Sequence, residues 1–155
     1  MNAAHWHLAL NHLPVVGMFF GALLLIFALW RNDDRLIRVC LAALAVVAVT
    51  GVPTYLTGEP AEVVIMDAPD FAEDLVKAHD RSATWAFSVT LAAGVAGLAG
   101  LIAFRKANAL PGWLKATVLA LSIFAAVLLA WTANLGGKIR HTEIRSGPQA
   151  GAPQH

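Results

Sequence analysis

Four stretches of this chain contain no Asp, Glu, Lys or Arg: residues 1–30, 39–58, 82–104 and 116–137. The eleven Lys and Arg and ten Asp and Glu are confined to the segments between these windows and after the last one. A bilayer hydrocarbon core about 30 Å thick is crossed by roughly 20 apolar helical residues, and each window meets that length. A helical bundle buried in water would carry a polar stripe every three to four residues, and these windows carry almost none. The pattern predicts an all-α integral membrane four-helix bundle with spans at about 10–30, 37–57, 82–104 and 113–136. The transmembrane domain would occupy 1–145, followed by a Pro/Gly-rich disordered tail over 146–155.

Composition excludes other classes. Charged residues make up 14% of the chain, against about 25% in soluble domains. The net charge of +1 supplies no basic face for phosphates, so nucleic acid is excluded as a partner. A single cysteine, Cys40, excludes an intramolecular disulfide and any CxxC zinc site; it reads as a small buried apolar residue. The first window lacks a basic leader and a small-residue cleavage site, so it reads as a span rather than a signal peptide. Trp6, Tyr55, Trp85 and Trp131 fall near one membrane surface and Trp30 and Trp113 near the other, the depth such rings favour.

Four spans place both chain ends on one side of the membrane. The two short loops on the other side, 31–38 and 105–115, hold six of the eleven Lys and Arg. The positive-inside rule puts those loops in the cytoplasm. Both termini and the 59–81 segment would then be periplasmic in a bacterial inner membrane.

Lipid gives helices no hydrophobic push toward each other, so small residues must permit close approach. Gly17 and Gly21 form a GxxxG pattern, and Ala92, Ala96 and Gly100, with Gly94 and Gly97, form a small-residue face on the third span. Such faces serve helix packing or make room for a flat cofactor. Pro14 and Pro53 each remove a backbone bond inside a span. Glu59-Pro60 begins a new segment. Asp67-Ala-Pro-Asp70 resembles a helix start, predicting a short amphipathic helix over about 69–79, either separate from the third span or running into it.

All six histidines, His5, His7, His12, His79, His141 and His155, fall on the termini side, as do Glu59, Glu62 and Glu143. Each span delivers a candidate ligand to the same end: His12 from the first, Glu59 and Glu62 after the second, His79 before the third, His141 after the fourth. His5 and His12, seven residues apart, share a helix face, and His7 points elsewhere. Imidazole suits iron, copper and zinc, and Glu adds an oxygen donor; two imidazoles from different helices also hold haem iron axially. An ionisable group near membrane depth is costly without a partner, which favours His12. A lone histidine at a helix end is more often a cap or surface residue, and the run Asp67, Asp70, Glu73, Asp74 is most simply a solvated helix face. No HExxH, phosphate loop or nucleophile elbow occurs. Thr50, Thr90 and Ser122 are the only mid-span polar candidates, and each can bond its own helix.

At His12-Leu-Pro-Val-Val-Gly17, Tyr55-Leu-Thr-Gly-Glu-Pro-Ala-Glu62 and Gly136-Gly-Lys-Ile-Arg-His141 the chain resembles a family of small four-helix bacterial inner-membrane proteins catalogued as a domain of unknown function. The resemblance implies the same topology, selects His12, His79 and His141 as matching positions, and implies a respiratory or cytochrome-linked role. The family's Tyr-x-His ending is here Ile-Arg-His-Thr-Glu.

The expectation is a small membrane protein that binds haem or a transition metal, iron or copper ahead of zinc, at its periplasmic end. His12, His79 and His141 are the candidate cofactor ligands, and Glu59 and Glu62 are further metal ligands or partners of the imidazoles. It would act in electron transfer or as a respiratory accessory protein, with the lipid bilayer and a membrane complex or cytochrome as partners; a homo-oligomer is compatible. The alternatives are a cofactor-free structural subunit of a larger complex, or an enzyme or transporter moving protons through the His/Glu cluster.

Overall fold

A computed structural model describes residues 2–145; the tail expected to be disordered lies outside them. Helix α1 spans Ala3–Trp30, α2 Asp34–Leu56, α3 Gly58–Ile65, α4 Glu73–Ala103 and α5 Gly112–Arg140, followed by a 3-10 turn at Thr142–Ile144. The four long helices run up, down, up and down. Packing is closest between α4 and α5, then α2 and α4, then α1 and α2, and α1 closes the ring on α5. Helices α1 and α4 therefore lie across a diagonal. All four are long and apolar enough to cross a membrane. Apolar side chains cover the outside, with Phe20 69% and Val49 68% exposed, as lipid contact requires.

Two boundaries differ from the sequence expectation. The amphipathic helix expected over about 69–79 starts later, at Glu73, and runs straight into the third span as the first turns of α4. Asp67 and Asp70 lie in turns rather than at a helix start. The distinct short helix is α3, in which Pro60 sits in the first turn, where a missing N–H costs nothing. At about 1.5 Å per residue, the 28 residues of α1 and 31 of α4 exceed a hydrocarbon core. Their N-terminal turns therefore project into the headgroup region.

The interior follows a seven-residue spacing. On α1 the buried residues include Pro14, Gly21 and Ala28; on α4 they include Ala86, Ala93 and Gly100. Such a repeat keeps one seam facing the partners as helices coil around each other. The small residues on α4 serve close approach. A Cβ at Gly94 would collide with the Ala48 side chain, and one at Gly97 would lie 3.2 Å from the Leu41 carbonyl oxygen. This face is filled by α2 and leaves no room there for a flat cofactor.

Pro14 has no N–H for the Leu10 carbonyl. The single Thr54 hydroxyl proton of α2 is shared between that oxygen, at 3.2 Å, and Thr50 O, at 3.0 Å. A backbone acceptor freed inside an apolar medium is thus satisfied by the neighbouring helix.

The far end is held by one ion pair. Asp34 receives Arg38 Nε at 3.1 Å and the Leu110 backbone N–H at 3.0 Å. The same guanidinium donates to Phe104 O and Ala107 O at 3.2 and 2.9 Å, capping the C-terminus of α4. Asn32 takes a left-handed φ of 51° in the tight α1–α2 turn, which an Asn side chain tolerates.

Because the atoms facing Gly94 include α2 backbone, a branched side chain there must separate the helices. Gly94→Val is expected to cost about 1–3 kcal/mol, read as a lower midpoint of thermal unfolding in detergent. A similar change at Gly112, which meets nothing within 4 Å, should leave that midpoint unchanged.

Candidate functional site

The seven-residue seams of α1 and α4 run outward to histidine. His7 lies seven residues before Pro14, and His79 seven before Ala86. Both rings are part-buried, and they meet across the diagonal with centroids 6.4 Å apart and planes at 79°.

Each ring is oriented by a third helix. His7 Nδ1 lies 3.1 Å from Thr54 O and 3.2 Å from Thr57 Oγ1 on α2 and its cap. His79 Nδ1 lies 3.0 Å from Thr132 O on α5. A carbonyl oxygen only accepts, so the proton sits on Nδ1 in both rings. In the neutral form each Nε2 is then left with a lone pair. The single Thr57 hydroxyl proton is shared between Pro53 O and Thr54 O, both at 2.9 Å, which leaves its oxygen to accept from the imidazole N–H. Beneath His79, Thr132 donates to Leu128 O at 2.8 Å. Its oxygen therefore receives the Ser82 hydroxyl at 2.7 Å.

A glycine makes room for one ring: a Cβ at Gly136 would stand 3.1 Å from His79 Cε1, whereas one at Gly58 would meet His7 Cε1 at an ordinary 3.8 Å. Arg145 seals the end of α5: it donates to Lys138 O and Ile139 O, both at 2.8 Å, and to Asp70 O at 3.0 Å.

Of the residues selected by sequence, only His79 belongs to this arrangement. His12 is exposed, and its Nδ1 bonds Leu8 O of its own helix at 2.7 Å. His141 is exposed and pairs with Glu143 at 2.8 Å. The Glu143 carboxyl is held below its ordinary range by its own backbone N–H and then by that imidazole. Glu59 is exposed and Glu62 intermediate. Among the described residues, no three of the His, Cys, Asp and Glu side chains are grouped as a metal ion would need.

His7 is the residue that sequence reasoning passed over. The angular argument stands, since His5 and His12 share the outer face and His7 does not. The sequence did not say which of the two faces turns inward, and in the fold it is the one that carries His7. The available signal was the step of seven from Gly21 through Pro14 to His7, matched on α4 by Gly100, Ala93, Ala86 and His79. No family model, no curated protein and no solved structure matches the chain.

Truncating an inward, hydrogen-bonded imidazole should destabilise more than truncating an outward one. His79→Ala is expected to cost about 1–3 kcal/mol, and His12→Ala less than about 0.5 kcal/mol. Thermal unfolding in one detergent compares the two.

Proposed function

We propose that this membrane protein binds a transition metal ion or haem iron through Nε2 of His7 and of His79, and serves electron transfer or a respiratory complex. The observation that carries the reading is the matched orientation of the two rings. Metal-bound histidines almost always donate their other N–H to a carbonyl or carboxylate, which fixes the tautomer and raises ligand basicity. Both rings have that partner, from α2 and from α5.

The separation supports the same reading. Two imidazoles on one ion, each bound through nitrogen at about 2.0–2.1 Å, have ring centres about 5 Å apart at a tetrahedral angle and about 6.4 Å apart in trans positions. The observed separation is 6.4 Å, at the upper end of that span. A structural zinc site needs four protein ligands, and this pair supplies two. Copper or iron, with positions left for an exogenous ligand or a porphyrin, fits the donor set better. His12, His141, Glu59 and Glu62 have no part in this version of the site.

The test is a titration of chelator-stripped protein with copper, ferrous iron, zinc and haem, followed by absorbance and elemental analysis. One equivalent of copper or haem iron per chain is expected. His7→Ala and His79→Ala should each weaken binding roughly tenfold or more, while His12→Ala and His141→Ala leave it intact. Protons compete for the same nitrogens, and burial holds both imidazoles below their ordinary range, so affinity should hold at neutral pH and fall only on acidification. A folded, monodisperse protein that takes up neither metal nor haem overturns the reading and leaves a cofactor-free structural subunit.

The charge asymmetry of the loops supports a periplasmic position for this end in a bacterial inner membrane. In a Cys40→Ala background, Glu59→Cys should react with an impermeant maleimide added outside spheroplasts. Lys106→Cys should react only after lysis. The reverse pattern inverts the orientation.

A further inference from the structure

On the outer side of the same end, α4 and α5 leave a groove of about 330 Å³ whose lining includes Arg81, Ser82, Trp85, Leu128, Trp131 and Leu135. Its lining grades along the membrane normal. Arg81 and Ser82 stand where α4 enters the hydrocarbon, and Trp85 and Leu128 lie about one turn deeper. Trp85 and Trp131 are 63% and 59% exposed, at the depth where indole rings favour the interface.

The Arg81 guanidinium is exposed. No ion pair or hydrogen bond engages its side chain among the described residues, although Asp80 is its neighbour in sequence. Helix α5 carries no acid along its length, and its last turn adds Lys138 and Arg140. A free guanidinium over an apolar, indole-flanked channel matches a phosphodiester joined to an acyl chain. Guanidinium pairs with phosphate oxygens in a bidentate fork. The indole faces and Leu128 cover methylene groups below it.

We propose that this groove is a binding site for an anionic glycerophospholipid of the leaflet at the histidine-bearing end, with the headgroup phosphate on Arg81 and an acyl chain along Trp85, Leu128 and Trp131. The site is separate from the His7–His79 pair, and its test does not depend on a metal.

The full chain carrying Trp6→Phe, Trp30→Phe and Trp113→Phe keeps only the two groove indoles. It is reconstituted in phosphatidylcholine vesicles doped with brominated phosphatidylglycerol or, at equal mole fraction, brominated phosphatidylcholine. Quenching is expected to show about a fivefold preference for the anionic lipid. The preference should vanish in Arg81→Gln, fade in high salt and persist in Arg105→Gln at the opposite end. Equal quenching by both lipids, or a preference that survives Arg81→Gln, overturns the proposal. Should the triple variant fail to fold, native mass spectrometry of the chain with all its tryptophans gives the same ratio. It compares retained phosphatidylglycerol with phosphatidylcholine, with and without Arg81→Gln.

Discussion

A polypeptide in hydrocarbon has no water for its backbone, so every peptide N–H and C=O must find a partner in the protein. That constraint governs this molecule. It makes the four charge-free windows helical, and it makes each interruption consequential. Pro14 breaks the ladder of α1 at Leu10, and Thr54 of α2 supplies the missing donor. Thr50, Ser122 and Thr132 turn their hydroxyls onto carbonyls of their own helices. Thr90 is the exception among the described residues, a buried hydroxyl with no partner.

Helices satisfied in this way associate through close contact. Gly94 and Gly97 bring α4 onto α2 until side chain meets backbone. The same closeness aligns the seams that end in His7 and His79. The histidine pair is thus an extension of the packing, carried beyond the hydrocarbon by helices longer than the core they cross. Thr54 joins the two levels: its hydroxyl repairs α1, and its carbonyl orients the His7 ring. A change in how α1 sits on α2 would reach the imidazole directly.

The two ends of the bundle use charge differently. At the loop end, Asp34 and Arg38 are spent on each other and on the C-terminus of α4. At the histidine end, Arg145 caps α5 in the same manner, while Arg81 remains free beside two indoles. Arg38 and Arg145 are fastened to backbone carbonyls, and Arg81 faces the groove.

The charge-free windows alone determined the number of spans, their alternation and the gathering of histidines at one end, because exclusion of charge from hydrocarbon is a property of composition along the chain. Composition also settled that the chain is helical and that its outside is apolar. The face each helix turns inward was a tertiary decision. In a lipid-spanning helix both faces are apolar, so amphipathicity points nowhere, and only the contacts of Gly94 with Ala48 and of Gly21 with Leu44 set the rotation. That rotation put His7 rather than His12 opposite His79. A step of seven was legible in the letters, but nothing short of the packed helices could say which of its possible registers faced the axis.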